Sequence, residues 1–436
     1  MRTRTAVSAV VVGLVLLVVA AAATYTAGVD RSATAASTVE SFSPPADRLT
    51  DAIAVAERRV DDVPGDHATW AALGAMYVEQ ARLTADPSYY AKADHALAES
   101  LRLRPDGNDV ALTASGALAA ARHDFRAAAD LAERALGINE FSATAWGVLA
   151  DARTQLGDYA GATQAVDRMV ALRPGVASFT RASYDAELRG DGATAVSALE
   201  QALQAATTSA DRAFAHGYLG ELAISRGDLE EAERQFSTGI ALVSDNPLLL
   251  MGRAHVAASR GRVELATRTY RHAVSTQPLP EHLVEYGEFL LSVGEDDEAR
   301  VQFARAREVR ERFAAYGVDV ELDIALFEAD HGDPVTAVAA ARAEFDRRQN
   351  GEAHDALAWA LHSAGQDTEA LEYARAATAL QGDPRFLYHR GVIEAALGRD
   401  DEARASLARA LAAGRYFSPV YAPRAERLLT ELGGTP

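Results

Sequence analysis

Apolar residues in this chain fall into two regimes. Between Ala6 and Ala23 they run almost without interruption, as AVSAVVVGLVLLVVAAAA, broken only by Ser8 and Gly13. From Asp47 onward they recur at helical spacing in stretches of about a dozen residues, each closed by a short polar turn. The turn has a signature: glycine, a polar residue, three further residues, then alanine. It occurs at Gly157, Gly190, Gly227, Gly261, Gly294, Gly332, Gly365 and Gly398, at intervals of 33 to 38 residues. The alanines five positions on are Ala162, Ala195, Ala232, Ala266, Ala299, Ala337, Ala370 and Ala403. His123-Asp124 holds the same place ahead of Gly157, with Ala128 following. Glycine supplies the positive φ that ends one helix. Alanine lies early in the next, where the two axes come closest and a larger side chain does not fit. The pattern predicts an all-α array of antiparallel helix pairs.

The unit resembles the tetratricopeptide repeat (TPR), about 34 residues reading W-x2-L-G-x2-Y…A-x3-F…P. Trp70, Leu73, Gly74 and Tyr77 match its first helix in full. Trp146, Leu149, Ala150, Gly157-Asp158-Tyr159, Ala162 and Pro174 match through a later unit. Ala232/Phe236 and Ala299/Phe303 match the second-helix pair, and Pro105 and Pro278 the closing proline. In register, ten units start near His67, Asp109, Ala143, Val176, Ala213, Pro247, Pro280, Val318, Gly351 and Pro384. The resemblance implies a right-handed superhelical solenoid of about ten TPR helix-turn-helix units over 67–417. Residues 47–66 read as an N-terminal capping helix and 418–436 as a C-terminal one, since solenoid ends need covering. Three units carry extra residues: Ala85–Ala91, Ala205–Asp211, and the run Arg307–Arg312 that lengthens a second helix. These are expected as tolerated loops or helix ends, or as reaching a partner.

In the family the first helices line a concave groove that takes a peptide, so the resemblance implies a protein-interaction scaffold. Projecting the groove from the fifth, ninth and twelfth first-helix positions gives an acidic middle, Tyr184, Glu187, Glu221, His255 and Glu288. It also gives an aromatic and histidine part, Trp359, His362 and Tyr388. A basic or aromatic-bearing segment suits such a groove, although acidic residues are common in this chain and large aromatics are mostly core. The lysine and asparagine that clamp a carboxylate terminus in some relatives are absent: those positions hold Ala71, Ala75, Thr113, Ala117, Gly147 and Asp151.

The N-terminal run follows Arg2 and Arg4, which is the charge order of a signal peptide or signal anchor over 1–24. Its 18 residues are just long enough to span a bilayer. Either outcome, anchorage or cleavage and secretion, places the body outside the cytoplasm. Residues 25–46, rich in Ser, Thr and Ala and ending near Pro44-Pro45, read as a flexible linker. The net charge of −19 argues against nucleic acid as a partner and against docking of the body on anionic lipid.

No cysteine is present and Lys92 is the one lysine, which removes thiolate chemistry and a Walker-type phosphate loop. Asp330-His331-Gly332-Asp333 tempts as a metal or acid/base cluster but lies on the repeated turn, where polar residues cap helices. His354 and His362 are about 12 Å apart along one helix by rise, so one ion cannot bind both, and His389 could join only one of them. No catalytic residue, cofactor or metal is assigned. The expected function is a non-catalytic scaffold binding a protein or peptide partner for assembly or regulation of an envelope complex. The alternatives are a sensing or assembly module of a membrane transporter or maturation system, and an enzyme with a site built across repeats.

Overall fold

The computed structural model describes residues 46–380 and 382–435. The segment 1–24 and the linker up to residue 45 lie outside the described residues. Among the described residues are 22 α-helices and no strand. After α1 (Ala46–Asp62), ten pairs follow. Their first helices are α2 (His67–Thr84), α4 (Asp109–Ala121), α6 (Ala143–Leu156), α8 (Val176–Leu188), α10 (Ser209–Ser225), α12 (Pro247–Ser259), α14 (Pro280–Ser292), α16 (Glu321–His331), α18 (Gly351–Ser363) and α20 (Pro384–Ala396). Their second helices are α3 (Ser88–Leu103), α5 (Phe125–Ile138), α7 (Tyr159–Leu172), α9 (Gly192–Ala205), α11 (Leu229–Leu242), α13 (Val263–Thr276), α15 (Asp296–Ala315), α17 (Pro334–Arg347), α19 (Asp367–Leu380) and α21 (Asp400–Ala413). The chain closes on α22 (Tyr421–Glu431). No described helix is long and apolar enough to cross a membrane.

The recurring turn explains itself locally. Asp158, Asp191 and Asp228 accept the backbone N–H of Gly161, Thr194 and Glu231, capping the second helix of their units. The nine turn alanines are at most 1% exposed. Seven of the eight turn glycines have φ between +68° and +83°, and His123 adopts +62° in the same role. Gly332 departs from this, with φ −142°. There the Glu328 carboxylate accepts the Asp333 N–H at 3.0 Å, closing the short α16 without a left-handed residue. Between turns the helices touch closely: a Cβ on Gly252 would lie 2.2 Å from the fully buried Phe236 ring. Gly252→Ala is expected to cost about 1–3 kcal/mol by overpacking, read as a lower urea midpoint.

The extra residues are absorbed into helix ends, one of the two expected outcomes. Ala85–Ala91 lengthens α2 and α3 to 18 and 16 residues, joined through a left-handed Ala85. Ala205–Asp211 adds a turn to the start of α10, so that it begins at Ser209, capped by Thr208, rather than near Ala213. The third insertion makes α15 20 residues long, and its end crosses to the first two units. Val318 is buried there in one cluster with Tyr90, Leu118 and Ala121, with Phe313 and Val320 packed against it. The Asp319 N–H donates to the Arg122 carbonyl at 3.0 Å, and His123 Nδ1 lies 2.7 Å from the Asp319 carbonyl.

The seam continues C-terminally. Arg347 pairs with Asp319 and donates to the His123 carbonyl, and the Arg348 guanidinium lies 5.0 Å over the Phe125 ring. The Gly351 N–H donates to the Tyr159 hydroxyl at 3.2 Å. A cleft of about 450 Å³ remains along this seam. His123 is held neutral there, its pKa pushed down to about 3 by burial and by the arginines. The solenoid therefore closes on itself, with units one to three meeting units seven to nine.

Candidate partner-binding groove

The first helices carry the projected groove residues inward, and closure encloses them. Tyr184 and Glu187 stand on α8, Glu221 on α10, His255 on α12 and Glu288 on α14; all are half-buried. Burial and the neighbouring Glu221 push the Glu187 carboxyl up to about 8. Glu221 is raised to about 7, by burial and by Glu285, against the opposing pull of His255. Neither carboxyl forms an ion pair or hydrogen bond. The buried Tyr218 hydroxyl on α10 also has no hydrogen-bond partner, and its pKa is raised, chiefly by burial.

Toward α14 the groove is occupied by the chain itself. The segment between α21 and α22 enters it, and His255 Nε2 lies 2.8 Å from the Tyr416 carbonyl. Burial opposes a charge on His255, but the contact with Glu285 and that carbonyl outweigh it, so its pKa is raised. The Tyr421 hydroxyl donates to Glu288 Oε1 at 2.9 Å. His331 Nε2 lies 3.1 Å from the same carboxylate. Burial pushes Glu288 up, and Asp330 adds to this.

The aromatic part is core rather than open surface. Trp359 is 9% exposed and Tyr388 5%. Trp359 stacks on His389 at 4.0 Å, and its indole donates to Asp330 Oδ1 at 3.0 Å. Tyr388 packs against Phe417 and Tyr421. His362 turns to Asp367 Oδ1 at 2.5 Å, at the start of α19. The two projected patches thus meet through Asp330 and Tyr421, which pattern reading did not single out as groove residues. His331 faces Glu288 rather than acting only as a turn residue.

The remaining histidines on α18 and α20 have separate partners. His354 Nδ1 lies 2.9 Å from the Asn350 carbonyl, and His389 Nδ1 lies 2.9 Å from Asp355. Asp151, at a clamp position, accepts a bidentate pair of hydrogen bonds from Nε and Nη2 of the buried Arg181 at 2.8 and 2.6 Å. The common feature of this interior is carboxylate, ion-paired or hydrogen-bonded at some positions and in contact with no such partner at Glu187 and Glu221, where His255 acts on Glu221 only from a distance.

The tetratricopeptide-repeat family pattern matches residues 113–177, 182–247 and 364–416, so the chain carries these repeats in all three stretches. Comparison with curated proteins gives no match. Among solved structures, a tetratricopeptide repeat protein from Parabacteroides merdae is similar over 59% of this chain and 99% of that one, at 18% identity and a TM-score of 0.36. The human IFIT1 dimer with PPP-AAAA is similar over 84% of this chain and 86% of that one, at 14% identity and 0.44. MamA is similar over 38% and 98%, at 24% identity and 0.30. The self-closure described above rests on this chain's own contacts.

Proposed function

We propose that this protein is a non-catalytic repeat scaffold whose groove takes a basic segment of a partner protein. The observation that carries the reading is the pair Glu187 and Glu221, enclosed and without a hydrogen-bonding or ion-pairing partner. A buried carboxylate without a counter-charge is costly, and a partner's lysine or arginine relieves that cost. The Tyr416–Tyr421 segment covers α12 and α14, while Glu187 and Glu221 lie on α8 and α10. The scaffold works outside the cytoplasm, tethered or exported by the apolar run near its N-terminus, in the assembly or regulation of an envelope complex. The charge order of that run and the linker after it support this placement.

The test is cross-linked co-purification from the native membrane, comparing wild type with a Glu187→Gln/Glu221→Gln variant of unchanged helix content. Trp359 and Tyr388 are unsuitable test positions, because truncating either would disturb the core. Expected is a protein partner that carries a basic segment and is lost in the variant. Anisotropy with a peptide of that segment should show at least about tenfold weaker binding, as for loss of a charge-assisted hydrogen bond. Equal recovery and equal affinity would place binding elsewhere on the molecule.

A further inference from the structure

We propose that Glu288, Asp330 and His331 form a divalent-cation site that fastens the C-terminal segment across the groove. Glu288 comes from α14, and Asp330 and His331 from the end of α16, so neighbouring units supply the donors. One oxygen from each carboxylate and one imidazole nitrogen lie within 4.8 Å of one another. A small rotamer adjustment brings such a span to the roughly 2.0–2.2 Å bonds of a bound ion. Two carboxylates and one imidazole are a donor set for a borderline or hard cation, zinc or manganese above all.

Three features set this group apart from a patch of surface acid. Its Glu288 and His331 side chains are only 15% and 14% exposed, so the carboxylate is partly stripped of water yet open enough to keep a water ligand. No arginine or lysine pairs with Glu288 or Asp330: the neighbours are His331, the Tyr421 hydroxyl and the Trp359 indole. Two adjoining carboxyls so placed need a shared proton, a protonated His331 or a bound cation.

The donors are also held from outside, as ligands of a metal are. Trp359 Nε1 fixes Asp330, and Tyr421 fixes Glu288. The Phe303 ring stacks on the His331 imidazole at 4.4 Å. A bound ion would join α14 to α16 and, through the Tyr421 hydroxyl on Glu288, both to α22. This inference does not depend on the identity of the groove's partner.

The experiment titrates zinc and, separately, manganese into the full-length chain after chelator treatment. Calorimetry and tryptophan fluorescence follow binding, because Trp359 bonds to a donor. Expected is one site per chain, a changed fluorescence and a raised melting temperature. His331→Gln and Glu288→Gln, which keep hydrogen-bonding capacity, should each weaken binding at least about tenfold. Tyr421→Phe should leave the metal bound while removing most of the gain in melting temperature. Absence of binding by the wild type overturns the proposal whatever the variants do. Binding undiminished in folded His331→Gln and Glu288→Gln overturns it equally, and would leave a shared proton or a protonated His331 as the resolution of the two carboxyls.

Discussion

Val318→Asp will open the closed solenoid without melting its helices. Val318 is 6% exposed and lies in the cluster that contains Tyr90, Leu118 and Ala121. A carboxylate introduced there displaces apolar contact with Tyr90, Leu118 and Ala121, and although Arg122 lies close by it already pairs with Asp94, so burying the new charge costs several kcal/mol. Each helix pair keeps its sequence neighbours, which supply most of a repeat's burial. Circular dichroism should therefore stay near wild type while the radius of gyration from small-angle scattering increases. The melting temperature should fall by several degrees. Arg347→Ala, which loses the bond to the His123 carbonyl and the pairing with Asp319 and Glu344 at a partly exposed site, should have a smaller effect in the same direction. An unchanged radius in Val318→Asp would show that the closure is held elsewhere along the seam.

The second large effect is on pH. Burial raises Glu187 to about 8, Glu221, Asp323 and Asp151 to about 7, and Asp383 to about 6. In the unfolded chain these groups titrate near 4.5 for glutamate and 3.8 for aspartate. Between the two ranges the folded protein retains protons that the unfolded chain has lost, so stability falls as pH rises through them. His255, with its raised pKa, acts in the same direction, because its cationic form is favoured by folding. His123 acts oppositely below its ordinary value of 6.5, since the fold resists its protonation down to about 3. Five carboxyls outweigh one imidazole. The unfolding free energy should peak near pH 5 and decline toward pH 8.5 by a few kcal/mol in sum after allowing for solvent access, and the melting temperature should fall with it.

Glu187→Gln/Glu221→Gln should remove roughly half of that decline between pH 6 and 8, since Asp151 and Asp323 remain. Scanning calorimetry over this range decides it, and an equally steep decline in the variant would exclude these carboxyls as its source. The same linkage makes a cationic partner bind more tightly as pH rises, because it favours the ionised forms.

The repeat was legible because its cause is local. A turn residue with positive φ, an aspartate cap and a close-approach alanine all fall within six positions, and each leaves a residue type behind. Even His123 could be placed, from its spacing and from Asp124 and Ala128. At Gly332 the turn falls where the spacing puts it, but without the positive φ, because Glu328, four residues earlier, takes over the closing of that helix. The self-closure was not legible. It arises from small rotations accumulated over units, and Val318 looks like any apolar residue at the start of a first helix. The same accumulation hid the groove's own occupant. Position within a helix located Glu187, Glu221, His255 and Glu288 on the inner face, but nothing near Tyr416 or Tyr421 marks them as their neighbours. Asp330-His331 was set aside as a turn, since the partner that changes its meaning, Glu288, lies one unit away.

Repeat arrays ordinarily vary in length by duplication, because an added unit disturbs only its two neighbours. This chain has lost that freedom. A unit inserted between the second and the seventh would carry Val318 about 10 Å, one helix-packing distance or more, past Arg122. A unit lost there would leave it short by as much. Units beyond the seam are constrained as well, because Tyr416 and Tyr421 must reach His255 and Glu288. Descendants of this protein can change their loops and their inner surface, but the number of repeats is fixed by the geometry of the join.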